Sequence, residues 1–131
     1  MSNADEAQDF LRGVRILLVE DDPLICLDLE ASLSELGAIV VAVSDVAAAL
    51  KVVATSRLDF AVLDFELGVG TSEPIATAAQ ARHVPFLYLS GYSEHDERFT
   101  RWPGIGVVVK PISAVTIARR IREQLGNPSA S

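Results

Sequence analysis

The chain has 131 residues, half of them apolar, and a mean hydropathy of +0.31, so we expect one domain built around one core. The net charge of -7 argues against a nucleic-acid groove or an anionic membrane surface, because both recruit clustered Lys and Arg. Its single cysteine cannot form an internal disulfide, and no apolar run reaches the roughly 18 residues of a membrane span. Because the N-terminus also lacks the pattern of a secretory signal, we expect a cytoplasmic protein.

Apolar runs define the organisation of the chain. Residues 1–13 are polar and are interpreted as an N-terminal extension, residues 14–126 as the domain, and residues 127–131 as a flexible tail. Inside the domain, short runs rich in β-branched residues predict strands that are buried on both faces, as in a parallel sheet. These runs span residues 14–20, 38–44, 59–65, 85–91 and 106–111.

Segments with helical periodicity separate the predicted strands. The first helix should begin after Asp22 as N-cap, with Pro23 at its first position, and end before Gly37. The alternation of strand and helix predicts an α/β fold, a doubly wound five-stranded parallel sheet with helices on both faces. Further helices are predicted over residues 46–55, 73–82 and 113–125.

The fourth connection, residues 92–105, is the exception to this regularity. Pro103 and Gly104 interrupt its apolar stripe, so the fourth helix should be short or irregular. Phe99 and Trp102 in this connection have two interpretations. They cover the core beneath a shortened helix, or they present an apolar patch to a partner.

Polar residues stand at the carboxyl ends of four predicted strands. Glu20 and Asp21 follow the first strand, Asp64 ends the third, Ser90 the fourth and Lys110 the fifth. Ligands of doubly wound sheets bind in the crevice outside these strand ends. We therefore expect the five side chains to converge there, although they are spread widely along the sequence.

The three acidic residues predict a magnesium site. Carboxylates that lie close together repel one another unless a cation sits among them, and oxygen-only ligands suit Mg²⁺ better than Zn²⁺. Asp21 and Asp64 are the expected ligands, and Glu20 would contribute through water. A remaining oxygen of Asp64 could attack phosphorus to form an acyl phosphate, with Lys110 and the Ser90 hydroxyl binding the phosphoryl oxygens.

Four segments, "ILLVEDDPLI", "AVLDFEL", "YLSGY" and "VVVKPI", resemble the signature segments of the bacterial two-component response-regulator receiver domain. The resemblance covers about residues 14–126 and implies the flavodoxin-like strand order 2-1-3-4-5. It implies that Asp64 is the phosphoacceptor and that the backbone carbonyl of Glu66 completes the metal shell. It also implies a cis peptide bond before Pro111, and a phosphoryl donor that is a histidine kinase or a histidine phosphotransfer protein.

The sequence departs from the family pattern at two positions. Gly68 replaces the usual proline four residues after the acceptor, so the following loop should have a different and looser backbone. Val107 replaces the usual Tyr or Phe three residues before the lysine, which argues against the usual aromatic switch. With a short fourth helix as well, we expect a remodelled signalling face. These features resemble a group of proline-lacking, often stand-alone, CheY-like receivers.

The resulting hypothesis is a single-domain response regulator that signals through phosphorylation-dependent binding to an unidentified downstream protein; a homodimer is a further candidate assembly. One alternative is a receiver that acts as a docking module without phosphorylation. Another is a Mg²⁺-dependent phosphatase with an aspartyl nucleophile, although the chain has little length to enclose a substrate. A flavodoxin-like electron carrier shares the topology, but three carboxylates would lie where its phosphate cradle should be.

Overall fold

Strands and helices alternate along the chain as the sequence pattern predicts. The computed structural model describes residues 9–91, 96–99 and 106–126. No helix within these ranges combines the length and apolar character that crossing a membrane requires. The elements are β1 (Arg15–Val19), α1 (Pro23–Glu35), β2 (Ile39–Val43), α2 (Val46–Thr55), β3 (Phe60–Asp64), α3 (Glu73–Ala81), β4 (Phe86–Ser90), a 3₁₀ turn (Glu97–Phe99), β5 (Gly106–Val109) and α4 (Ala114–Leu125).

The five strands form one parallel sheet in the order β2-β1-β3-β4-β5, so the predicted strand order is confirmed. Val19 at the end of β1 pairs with Leu63 of β3, and Asp64 pairs with Leu89 of β4. The carboxyl ends of these strands therefore lie together at one edge of the sheet.

Side-chain caps fix where two of the helices begin. The Asp22 carboxylate accepts hydrogen bonds from the backbone N–H groups of Leu24 (2.9 Å) and Ile25 (3.3 Å), and Pro23 occupies the first position of α1. Asp45 caps α2 by accepting from the N–H of Ala48 at 2.8 Å. Both caps satisfy donors that a helix leaves without an internal partner.

The helices cover the two faces of the sheet in pairs, as predicted. Helices α1 and α4 pack on one face and α2 and α3 on the other, so that each face of the sheet has its own apolar layer. The first layer includes Leu29, Leu33, Ile117 and Ile121 with Ile16, Leu18 and Val62; the second includes Ala49, Val53, Ile75 and Ala79 with Leu17, Leu63 and Tyr88.

The fourth connection contributes an aromatic side chain to the second layer. Phe99, at the end of the 3₁₀ turn, is 5% exposed. Its ring centroid lies 5.0 Å from that of Phe65 and 5.5 Å from that of Tyr88. For Phe99 the first interpretation, that it covers the core, is confirmed. Trp102 lies outside the described residues.

Packing begins before residue 14, where the domain was expected to start. Leu11 is fully buried against the α1 and α4 layer, and its N–H donates to the carbonyl of Leu36 at 2.7 Å. The guanidinium of Arg122 on α4 donates to the carbonyl of Phe10 at 2.8 Å. The end of the polar extension is therefore attached to two helices.

The loop after β3 is closed rather than loose. The N–H of Ser72 donates to the carbonyl of Phe65 at 3.0 Å, and the N–H of Leu67 donates to the carbonyl of Gly70 at 3.1 Å. Gly70 has a φ of 82°, a conformation that favours glycine. These hydrogen bonds constrain the loop backbone although Gly68 stands at the position of the usual proline.

Truncating Leu11 should destabilise the whole domain. The Leu11→Ala change removes a fully buried side chain and should lower the free energy of unfolding by about 2–4 kcal/mol. Leu27→Ala is the matched control, because Leu27 is 65% exposed. Urea unfolding of the two variants compares them directly. If the free energy of unfolding of Leu11→Ala falls no more than that of Leu27→Ala, the prediction is wrong and Leu11 does not contribute to the stability of the core.

Candidate metal and phosphoacceptor site

The strand ends bring the sequence-predicted site residues to one edge of the sheet. Glu20 follows β1, Asp64 ends β3 and Ser90 ends β4. Lys110 follows β5, and its backbone N–H donates to the carbonyl of Ser90 at 2.8 Å. The peptide bond between Lys110 and Pro111 is cis, as the resemblance implies.

The acidic cluster consists of Glu20, Asp21 and Asp64. One carboxylate oxygen from each lies within 4.8 Å of the others. Glu20 and Asp64 are buried, with exposures of 1% and 2%, whereas Asp21 is exposed. Two of the carboxylates thus sit in the floor of the site, and the third lies at its rim.

Lys110 supplies positive charge to this cluster. Its Nζ lies 3.3 Å from Oδ1 of Asp64, and its side chain is 36% exposed. Since Asp64 Oδ1 has no aligned hydrogen bond among the described residues, the contact is an ion pair. One ammonium does not balance three ionised carboxylates.

The electrostatic cost of this arrangement falls on Glu20 and Asp64. Burial raises the pKa of Glu20 to about 7, and the neighbouring Asp64 adds to the rise, while the N–H of Asp22 opposes it by donating to Glu20 Oε1 at 3.0 Å. Burial also raises the pKa of Asp64, although Glu20 and Lys110 oppose that rise. Both residues therefore favour a proton or a metal ion nearby.

The residues of the cluster fit a divalent cation. Oε2 of Glu20 is buried and has no hydrogen-bond partner among the described residues, so an acceptor there is left for another ligand. Every donor atom of the cluster is a carboxylate oxygen, which suits Mg²⁺. The cluster could therefore bind the metal that the sequence predicted.

Two features of the site were not assigned a role from the sequence. The N–H of Gly68 donates to Oδ2 of Asp21 at 2.8 Å, although Gly68 was noted only as a departure from the family pattern. Asp22 caps α1 with its side chain, as predicted, but its backbone N–H also donates to Glu20 Oε1, a contact that the sequence did not indicate. Glu66 is exposed and forms an antiparallel bridge with Thr71, and the metal contact of its carbonyl stays a prediction.

No protein-family model and no curated protein matches the sequence, but solved structures do. A response regulator receiver protein from Sinorhizobium medicae is 25% identical, with a TM-score of 0.77 and coverage of 88% of this chain and 96% of that chain. The receiver domain of a sensor histidine kinase from Pseudomonas aeruginosa, with a magnesium ion in its active site cleft, is 27% identical, with a TM-score of 0.76 and coverage of 88% and 99%.

A third structure, a response regulator from Thermotoga maritima in complex with Mg²⁺ and BeF, is 23% identical, with a TM-score of 0.74 and coverage of 84% of this chain and 97% of that chain. The chain has the fold of a response regulator receiver domain. Its acidic cluster lies where this fold places a ligand, outside the carboxyl ends of the parallel strands.

Raising the pH should destabilise the metal-free protein through Glu20. Its pKa rises from an ordinary 4.5 to about 7 on folding, so the folded state holds the proton more tightly. This stabilisation is complete below the unfolded pKa and is lost as the pH rises through the folded pKa. In EDTA, we expect the contribution of Glu20 to the free energy of unfolding to fall by on the order of 1–3 kcal/mol between about pH 5 and about pH 7.5.

Urea unfolding of Glu20→Gln isolates this contribution, because a neutral amide cannot titrate in that range. The variant should lose less stability than the wild type over the same pH interval. Glu35→Gln, at an exposed position on α1, is the control and should keep the wild-type dependence. An unchanged pH dependence in Glu20→Gln would contradict the prediction.

Proposed function

We propose that this receiver accepts a phosphoryl group on Asp64 in a Mg²⁺-dependent reaction and signals through a phosphorylation-dependent interaction with another protein. The observation that carries the proposal is the setting of Asp64. Its buried carboxylate lies 3.3 Å from the Lys110 ammonium and beside the Glu20 and Asp21 carboxylates at the ligand edge of the sheet.

The proposed donor is a phosphohistidine on a histidine kinase or a histidine phosphotransfer protein. A carboxylate oxygen of Asp64 attacks phosphorus, the oxygen–phosphorus bond forms and the nitrogen–phosphorus bond breaks. The electron pair of the broken bond returns to the imidazole nitrogen. The product is an aspartyl phosphate, one of the covalent intermediates open to a carboxylate. In the Pseudomonas aeruginosa relative, a receiver domain belongs to a sensor histidine kinase, which supports a donor of this class.

The neighbouring residues have complementary roles in the proposal. Asp21, Asp64 and the backbone carbonyl of Glu66 would hold Mg²⁺, and Glu20 would contribute through water. When bound, Mg²⁺ supplies charge neutralisation for the phosphoryl oxygens. Lys110 pairs with a phosphoryl oxygen, and the Ser90 hydroxyl donates to another.

Phosphorylation would add charge at a buried edge and shift an existing conformational equilibrium. Ser90 and the segment that follows it move toward Asp64 in the proposed phosphorylated state. Val107 is 3% exposed and packs in the same layer as Tyr88 and Phe99. Since position 107 has no aromatic ring, the change must reach the binding partner without an aromatic swing at that position.

Replacing Asp64 should abolish phosphorylation while keeping the fold. Asp64→Asn removes the nucleophilic oxygen and should give no labelled protein with acetyl phosphate and Mg²⁺, as measured by intact-mass analysis in the cold. Asp59→Asn is the matched control, because Asp59 precedes the opposite end of β3 and its carboxylate accepts from the N–H of Arg15 at 2.9 Å, as an amide oxygen also can.

The same measurement separates the alternatives. Labelling of wild type and Asp59→Asn, but not of Asp64→Asn, supports Asp64 as the acceptor. Labelling of Asp64→Asn would show that another residue is the phosphoryl acceptor. A wild-type protein that binds Mg²⁺ but takes up no phosphoryl group, from acetyl phosphate or from a histidine kinase, would favour the docking module.

A further inference from the structure

The rim of the acidic cluster is held by a backbone contact from the loop after β3. Oδ2 of Asp21 accepts a hydrogen bond of 2.8 Å from the N–H of Gly68. The two residues are 47 positions apart in the chain, so the contact depends on the fold. It joins the exposed carboxylate of the cluster to the loop that follows Asp64.

The loop is constructed so that the N–H of Gly68 stays in place. Leu67 and Gly70 are bridged by a backbone hydrogen bond, and residues Glu66 and Thr71 pair across the loop. Gly68 therefore sits in a turn closed on both sides. A donor fixed in this way can orient a flexible side chain at little further entropic cost.

Gly68 also leaves the space that Asp21 occupies. A Cβ at this position would lie 3.2 Å from Asp21 Oδ2, so a side chain would press on the carboxylate. A proline would in addition remove the N–H that donates. The usual proline of the family is thus incompatible with this hydrogen bond.

We propose that Gly68 is a positioning residue for the metal site: its N–H orients the Asp21 carboxylate toward the cation. The inference rests on the proposed Mg²⁺ site and adds a function for the glycine that replaces proline. Asp21 is exposed and, unlike Glu20 and Asp64, is not held by burial. An ionised carboxylate offers about four acceptor positions, so a bond from Gly68 leaves others for the metal. Partners that orient a ligand in this way typically contribute 10–100-fold to metal affinity.

The test compares Gly68→Pro with Gly68→Ala by calorimetric titration with Mg²⁺. Both variants add a Cβ, but alanine keeps the N–H and proline lacks it. Unlike Gly70, Gly68 does not adopt a left-handed φ, so alanine introduces no backbone strain of that kind. We expect the Kd of Gly68→Pro for Mg²⁺ to exceed that of Gly68→Ala by about ten-fold.

A second comparison asks whether the effect passes through Asp21. In an Asp21→Ala background, titrated to the higher Mg²⁺ concentrations it requires, the two Gly68 variants should have the same Kd. A proline that merely disturbs the loop would weaken binding in both backgrounds. Equal affinities of Gly68→Pro and Gly68→Ala with Asp21 present, or a difference that persists in Asp21→Ala, would overturn the inference.

An NMR measurement tests the contact without a Gly68 variant. In the wild type without metal, the amide proton of Gly68 should resonate downfield because it is hydrogen-bonded to Asp21 Oδ2, and Asp21→Ala should move it upfield. An amide shift that is independent of Asp21 would overturn the inference even if the proline variant failed to fold. The proposed phosphoryl transfer is tested separately, by the labelling of Asp64 with acetyl phosphate. A receiver that binds Mg²⁺ with the predicted Gly68 dependence but is never labelled would disprove only the proposed function.

Discussion

The burial of Glu20 and Asp64 beside each other is the constraint on which the site depends. Both carboxylates are almost completely excluded from solvent, and the described part of the chain offers them one ion pair, to Lys110. An ionised group that loses its hydration without a matching partner is costly. A cation among the carboxylates would relieve this cost, because it supplies the positive charge that one lysine does not. Burial is also the main cause of the raised pKa values of both residues.

The topology of the sheet creates this constraint. Because β1 lies between β2 and β3, and Val19 pairs with Leu63, the residue after β1 lies next to the residue that ends β3. An apolar layer covers each face of the sheet, and the side chains of Glu20 and Asp64 at that edge are buried. Lys110 arrives from β5 at the other side of the sheet and is long enough to reach Asp64. Strand pairing thus places Glu20 and Asp64 side by side, and the long side chain of Lys110 reaches Asp64 from β5.

Much of the fold was predictable because its signals are local. Each predicted strand contains the observed one, and Asp22 and Pro23 mark the start of α1 through hydrogen bonds within a few residues. Leu11 was missed because the adjacent pair Phe10 and Leu11 in a polar segment shows no periodicity, and the burial of Leu11 comes from distant helices. The convergence of Glu20, Asp64 and Lys110 was predictable from strand ends and the crevice rule. The Gly68 contact was not, because it depends on how a loop folds back on Asp21.

The three acidic residues of the site differ in exposure and in how their carboxylates are held in place. Glu20 and Asp64 are fixed in place by the sheet, and their carboxylates bear the electrostatic cost of burial. A ligand that compensates their charge would therefore bind favourably to them. Asp21 is exposed, avoids most of that cost and is oriented by a backbone N–H instead. A ligand that binds only the folded state stabilises the fold. The largest gain is expected at Glu20 and Asp64, because these buried carboxylates have the fewest compensating partners. Binding of a metal at the proposed site would therefore be coupled to folding through Glu20 and Asp64, whereas a backbone N–H of the loop after β3 holds the Asp21 carboxylate at the rim.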